Sequence, residues 1–585
     1  MRQIYITKSV AIIILLIVSF GVYANTLFNG FVYDDIDQVL KNPWITDVRH
    51  IPAILFSPVW SFLETFRDVK TNYYRPMMNL IYMAEYYIFG LKPLGWHFVN
   101  ITFHTLNSIM VFLIASVLFN RPIPNLLYNT YNYIYALIAS ILFATHPINT
   151  ETVNWVACIP ELSFTFFYLL SFYLYIKQYC YSTTLSQGKM GKIISVVSFF
   201  LAALSKETAL TLPVLLILYD YFKGEREWRT LLKRYAPYGI VVIIYMLLRF
   251  YILGGMAPKT PTHPYLNTYQ YIINIFPLFI EYLKSLLLPM NLVQFHPLNP
   301  VYSLGELRAL LSLFLTLSSL LIFYRLRKID FLYFFAFLII IIPLVPVFYI
   351  PVLGANVFAE RYLYLPSVGF VLILTYGCRQ LINLNLTWRK IGILPLMGIL
   401  VIIFGIYSIK TIKRNFEWKD NDTLWKTASE KYPDNYFALK ELADVYLRKG
   451  LIDEAILTYQ KAIKTNLHRK NPHPAILDRS RLNLVAAYYA KGMLTEAILE
   501  YKEVVKDNPN KENLIALFRK ALMDAEKPSG IYDVFNIMGN IYTITGFLDE
   551  AVEYYEEALK ITPDDPLALH NLEVVRKMLH GGKSK

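Results

Sequence analysis

RNFEWKDNDTLWK, residues 414–426, marks a change of solvent. Up to about residue 412 the chain is a series of apolar runs with short connections, and after this stretch it becomes charged, periodic and soluble in character. Of its 585 residues 56% are hydrophobic and only 17% charged, more apolar side chain than the polar residues of a wholly soluble protein could cover. The 46 Tyr and 38 Phe fit a membrane protein, because aromatic rings concentrate where hydrocarbon meets headgroups. The formal net charge is +13, but Lys and Arg cluster between the apolar runs. Helix-turn-helix, zinc-finger and RNP patterns are absent from the sequence, so nucleic acid is not an expected partner. Cys158, Cys180 and Cys378 lie far apart without metal or CxxC spacing and read as small hydrophobes.

The break implies an all-α protein of two parts: a polytopic membrane domain over 1–412, a linker or connecting helix over 413–435, and a soluble domain over 436–585. Runs of spanning length, against the roughly 20 residues a bilayer requires, lie near 9–25, 97–119, 131–146, 157–177, 191–204, 208–222, 236–254, 306–324, 331–350, 362–379 and 392–411, which makes about 11 transmembrane helices. The basic connections at Lys177–Lys192, Lys223–Arg234, Arg325–Lys328 and Arg379–Lys390 all fall on one side if the N-terminus is cytoplasmic. That parity requires the stretch 268–290 to lie along the outer surface, or to dip in and return. Val22-Tyr23-Ala24 resembles a signal-peptidase site, yet the uncharged run from Ser9 to Tyr33 favours a retained first span. The first outer loop, 26–96, contains amphipathic segments at 51–66 and 77–90 that suit the membrane surface.

Three windows of the soluble part share one spacing: Ala443, Tyr446, Gly450, Ala455, Tyr459, Ala462; Val485, Tyr488, Gly492, Ala497, Tyr501, Val504; and Gly539, Tyr542, Gly546, Ala551, Tyr555, Ala558. This is the tetratricopeptide-repeat (TPR) pattern, in which small residues let paired helices approach, aromatic ones fill the space between pairs, and Gly makes the turn. The repeats fall near 436–469, 478–511 and 532–565, with a capping helix at 566–580 and about 20 further residues before the third that suit a degenerate helix pair. Such an α-solenoid presents a groove to a peptide or protein, or else serves as a spacer or dimerisation surface.

Asp34 and Asp35 stand in FVYDDIDQVLKNPWI (31–45), where the first apolar run ends. Adjacent carboxylates raise one pKa and leave the other ionised, which suits a general base; a solvated, helix-capping pair is the alternative. Asp35 and Asp37 also form a DxD, but the chain has no nucleotide-binding αβ pattern to go with it.

That block, together with YYRPMMNLIYMAEYYIFGLKPLGWHFVNITFHTLNS (73–108), HPINTETVNWVACIPE (146–161), SKETALTLPVLLILYDY (205–221), AERYLYLPSVGF (359–370), RNFEWKDNDTLWK and the repeats, resembles the transmembrane and TPR-containing O-mannosyltransferases and their prokaryotic relatives. The resemblance implies a GT-C-type, inverting glycosyltransferase whose donor is a polyprenyl-phosphate sugar and whose chemistry occurs on the non-cytoplasmic face. It implies further that Asp34 is the catalytic base, with Asp35 its acidic neighbour. A departing lipid phosphate calls for fixed cations; Arg75, Lys206 and Arg361 map to the outer face, although they also suit a snorkelling residue, a helix-end cation and a partner of Glu360 respectively. His146 and Glu151 lie on the second outer loop, where such enzymes place acceptor or metal groups. Beyond the polyprenyl-phosphate sugar, which is the donor substrate, the resemblance implies no certain cofactor, and a divalent metal is the alternative. His97 and His104, seven apart on one helical face, read as packed or hydrogen-bonded side chains. The expected partners are the lipid-linked donor, carrying mannose or another hexose, and a protein or peptide acceptor held through the repeats. The expected location is the inner cell membrane, with multiple passes and the repeat domain extracytoplasmic. A non-catalytic envelope scaffold and an oligosaccharide ligase or polymerase are the rival readings.

Overall fold

A computed structural model describes residues 6–63, 73–119, 128–180, 185–255, 263, 265–353, 356–384, 394–507 and most of 535–581. They form two compact units, Met1–Leu424 and Trp425–Lys585. Among the described residues the secondary structure is helical, apart from an isolated antiparallel bridge between His296 and Phe358.

The main helices of the first unit are α1 (Lys8–Tyr23), α2 (Pro76–Phe89), α3 (Pro93–Phe119), α4 (Tyr128–Thr145), α5 (Ile159–Cys180), α6 (Leu185–Ser205) and α7 (Leu212–Phe222). They continue with α8 (Trp228–Leu253), α9 (Thr268–Leu287), α10 (Leu307–Leu326), α11 (Phe331–Leu344), α12 (Pro366–Leu384) and α13 (Leu394–Glu417). Each expected span coincides with one of these, and α2 and α9 are the two left over. Among the described residues, six helical stretches are long and apolar enough to cross a bilayer: Lys8–Phe28, Pro93–Phe119, Val156–Gln178, Trp228–Leu253, Leu307–Leu326 and Phe331–Phe348. This is a multi-pass membrane protein. Within the stretch 268–290, Thr268–Leu287 forms a single amphipathic helix, α9, opened by a reciprocal Asn267–Gln270 capping box; its inner face buries Ile273, Leu278, Phe279 and Tyr282.

Burial sorts the spans. In the Val156–Gln178 stretch 72% of the most apolar window is buried, against 17% in α8 and in α10. The first is therefore central, and the other two turn Ile243, Leu247, Phe314 and Leu317 outward, as lipid-facing helices do. Polar side chains within the core bind the segment 146–162 to α3. Asn100 donates to the carbonyls of Val153 (3.2 Å) and Trp155 (3.0 Å), and Asn107 to that of Leu162 (3.1 Å). Away from water such bonds cannot be exchanged for solvent, so they fix the loop from 146 to 161 in one place.

The second unit is made of antiparallel helix pairs. Tyr436–Arg448 pairs with Ile452–Leu467, and Pro474–Ala490 with Leu494–Asp507; Leu548–Ile561 precedes a terminal helix, Pro566–Gly581. Gly450 and Gly492 make their turns at φ +74° and +81°, a region that L side chains avoid. At Gly539 a Cβ would run into the Tyr555 ring, so the small residue is required for close approach. The stretch between the second and third repeats and Gly546 lie outside the described residues.

Candidate active site

The acid pair is held by strain and by long-range clamps. Tyr33 has φ 53°, a left-handed conformation costing a bulky L residue about 1–2 kcal/mol. Its amide donates to Asn421 Oδ1 (2.8 Å), its ring packs 5.6 Å from that of Trp155, and the Gly30 amide donates to the Lys419 carbonyl (2.8 Å). Asn415 is a hub: it donates to the Val22 carbonyl (2.9 Å) and to Asn25 (2.8 Å), and accepts from Asn154 (2.8 Å). Residues 415–421 thus serve as the clasp of the segment 22–33.

The turn at Tyr33 separates the fates of the two acids. Asp35 is fully buried; its Oδ2 accepts from the Val32 amide (3.0 Å) and its Oδ1 from the Ala157 amide (2.7 Å). Burial pushes its carboxyl up to about 8, against the opposing pull of those amides and with a smaller push from the charge of Asp34. Asp34 is half-buried, and its carbonyl accepts from Gln38 (2.8 Å) as a single π-helical turn, Ile36–Leu40, begins. From α2, Tyr82 donates to Gln38 Oε1 (3.2 Å). Asp37 leaves the pair altogether and bridges to Lys41 at 3.1 Å, so the DxD does not act as a unit.

All three cations expected at the outer face belong to one cluster, each on a carboxylate distant in sequence. Arg75 grips Glu207 with two bonds (3.1 and 2.7 Å), Lys206 reaches Glu161 (2.8 Å), and Arg361 reaches Glu151 (2.5 Å) while lying 3.9 Å from Glu161. Tyr362 joins them, its ring 4.9 Å from Lys206 Nζ and 5.2 Å from the Arg361 guanidinium. Burial opposes the charge on Glu207, but Arg75 outweighs it and holds the carboxyl down to about 2. Glu360, the neighbour of Arg361, pairs instead with Arg414 (2.6 Å).

The acid pair and the cluster meet at Trp155. Its indole faces Tyr33 on one side and lies 5.2 Å from the Arg361 guanidinium. The segment that follows presents the Ala157 amide to Asp35 and Glu161 to Lys206. Sequence reasoning did not select Trp155, Glu161, Glu207, Tyr362 or Arg414 as site residues. A usable signal was there: carboxylates buried beside apolar runs are costly unless paired, and each of these lies within a block already singled out.

His146 is fully buried, with Nε2 donating to the Leu286 carbonyl (3.0 Å) and Nδ1 accepting from the Ile148 amide (3.1 Å). Both nitrogens are committed, and the structure does not join His146 to Glu151. Among the described residues no group of three or more His, Cys, Asp or Glu is placed to hold a metal ion. His97 bonds the Gly30 carbonyl (3.3 Å), and His104 lies between Tyr364 (2.8 Å) and the Ala144 carbonyl (3.0 Å).

Tetratricopeptide-repeat family models match residues 423–472 and 539–575. The protein O-mannosyl-transferase F38B6.6 of Caenorhabditis elegans is 26% identical over 469 residues, covering 77% of this chain and 62% of that protein. Over about three quarters of its length this chain is similar to the TMTC protein O-mannosyl-transferases. Human TMTC3 is 23% identical over 77% of the chain and 50% of its own length, and Drosophila melanogaster Tmtc1 is 24% identical over 76% and 60%. The chain thus spans about half to three-fifths of the relatives' length. Among solved structures, ArnT from Cupriavidus metallidurans bound to undecaprenyl phosphate aligns over 90% of both chains, with a TM-score of 0.39 and 12% identity.

Proposed function

We propose that this protein is a GT-C-type membrane glycosyltransferase that moves a sugar, mannose or another hexose, from a polyprenyl-phosphate carrier to Ser or Thr hydroxyls of a protein on the non-cytoplasmic face. One observation carries the proposal: a strained acidic turn and a cluster of three cations meet at a single indole, Trp155. In this reading Asp34 takes the proton of the acceptor hydroxyl as its oxygen attacks the anomeric carbon, and the bond from that carbon to the phosphate oxygen breaks with inversion. The leaving phosphate gains a negative charge, which Arg75, Lys206 and Arg361 are fixed to receive. Asp35 is the positioning residue: bound by two amides and kept protonated by burial, it leaves the ionised role to its neighbour. His146 and Glu151 shape the second outer loop, Glu151 by orienting Arg361. The repeats recruit the acceptor and raise its concentration at the site. The same orientation, N-terminus cytoplasmic in the inner membrane, puts the repeat domain outside.

The test is transfer by the full chain in lipid vesicles, using polyprenyl-phosphate mannose and Ser/Thr peptides, beside mass spectrometry of envelope proteins from cells with and without the gene. Hexose on Ser or Thr that vanishes with the gene, and with Asp34→Asn, is the expected result. Unchanged glycans and no transfer in vesicles would leave a scaffold as the function.

A further inference from the structure

A fourth cation stands beside the cluster on the helix facing the lipid. Along α8 the residues Tyr238, Val241 and Tyr245 turn inward and are buried, whereas Ile240, Ile243, Leu247 and Phe250 are exposed. Arg249 lies one turn beyond Tyr245, between these two faces and half-buried, close to where Gly254 ends the helix at φ +66°. A guanidinium on such a helix is costly to place in a bilayer and marks function more often than packing. Its surroundings lead straight to the site. Its side chain hydrogen-bonds Tyr245, whose ring lies 6.0 Å from that of Tyr74 and whose hydroxyl donates to the Tyr74 carbonyl (3.5 Å). Tyr74 precedes Arg75, and the carboxylate that Arg75 grips, Glu207, feels the charge of Arg249 as well. Arg75, Lys206, Arg249 and Arg361 against Glu151, Glu161 and Glu207 leave an excess of one positive charge.

We propose that Arg249 is the capture residue of a lateral opening: it takes the phosphate of a lipid-borne isoprenoid donor from the bilayer and delivers it to Arg75, Lys206 and Arg361. This rests on the function proposed above. The chemistry recognised is a lipid phosphate, and the source is the isoprenoid carrier rather than the bulk phospholipid. Capture lowers the donor concentration needed without touching the chemical step, and it serves only substrates that approach through the membrane.

The experiment uses the full chain in phosphatidylcholine vesicles, comparing wild type, Arg249→Gln and Arg249→Lys in transfer and in photo-crosslinking to polyprenyl phosphate. For Arg249→Gln the donor KM should rise about tenfold, as for one charge-assisted contact, with kcat within twofold and the acceptor KM unchanged. Arg249→Lys should recover most of the loss, and a short-chain, water-soluble donor should show no difference between variants. An equal loss with the short-chain donor, a fall in kcat at constant KM, or crosslinking abolished equally by excess phosphatidylglycerol would each overturn the proposal. If polyprenyl phosphate crosslinks in an Arg249-dependent way while wild type transfers no sugar, the capture role stands and the transferase reading falls. Transfer indifferent to Arg249 removes the capture role and leaves the transferase reading in place.

Discussion

Asp34 and Asp35 are adjacent in sequence, yet their surroundings give them costs of different kinds, and substitution separates these. Asp35→Ala leaves the amides of Val32 and Ala157 buried without their acceptors. Each orphaned donor costs about 1–3 kcal/mol, so the variant should lose about 2–6 kcal/mol. Asp35→Asn retains one carbonyl oxygen, orphans one amide and should lose about 1–3 kcal/mol. The strained Tyr33 turn depends on the same anchorage, so both variants should also lose transfer, through misplacement of Asp34. Asp34→Asn keeps the size of the side chain and one acceptor oxygen at a half-buried position; its stability should stay within about 1 kcal/mol of wild type while transfer falls about 10²–10⁴-fold. The assays are denaturant unfolding of the detergent-solubilised full chain, followed by tryptophan fluorescence, and initial transfer rates in vesicles. An Asp35→Ala protein as stable as wild type, or Asp34→Asn at full activity, refutes the division of roles.

Other outcomes follow from the same geometry. Asp35 has a folded pKa of about 8, against about 3.9 unfolded; between these values the native state holds a proton that the unfolded chain has released, so stability falls as pH rises from 4 to 8, by about 1 kcal/mol per unit. Unfolding curves across that range should show the slope in wild type and not in Asp35→Asn. Lys206→Met takes from buried Glu161 its partner at 2.8 Å and leaves it Arg361 at 3.9 Å, which should cost up to about 3–5 kcal/mol; the double variant Lys206→Met, Glu161→Leu should regain most of this in unfolding experiments but no transfer, and recovered transfer would remove Lys206 from the leaving-group site. In the repeats, Gly492→Ala meets no atom within 4 Å yet must hold φ +81°, so it should cost about 1–2 kcal/mol from backbone strain alone. Gly539→Ala should destabilise by about 1–3 kcal/mol through its collision with Tyr555. Thermal unfolding of the full chain would check both.

The helices, the repeat pairs and the change of solvent near residue 412 were legible because they rest on local rules: apolar run length, the spacing of Ala, Tyr and Gly, and the location of Lys and Arg. Candidate site residues were legible as types, since a carboxylate or guanidinium at the end of an apolar run stands out. Their partners were not. Arg75 meets Glu207 and Arg361 meets Glu151 across separations of 132 and 210 residues, and Asp35 is buried only because Ala157 and Val32 turn their amides to it. RNFEWKDN reads as a connection, yet Asn415 and Asn421 clasp the segment 22–33 that leads into the acid pair, and Arg414 pairs with Glu360. Sequence by itself determined which segments prefer lipid, which coil into repeats and which charges stand at the ends of apolar runs. Tertiary structure alone decided which charge faces which, because Coulomb energy and desolvation depend on distance and burial in space, and neither is a function of position along the chain.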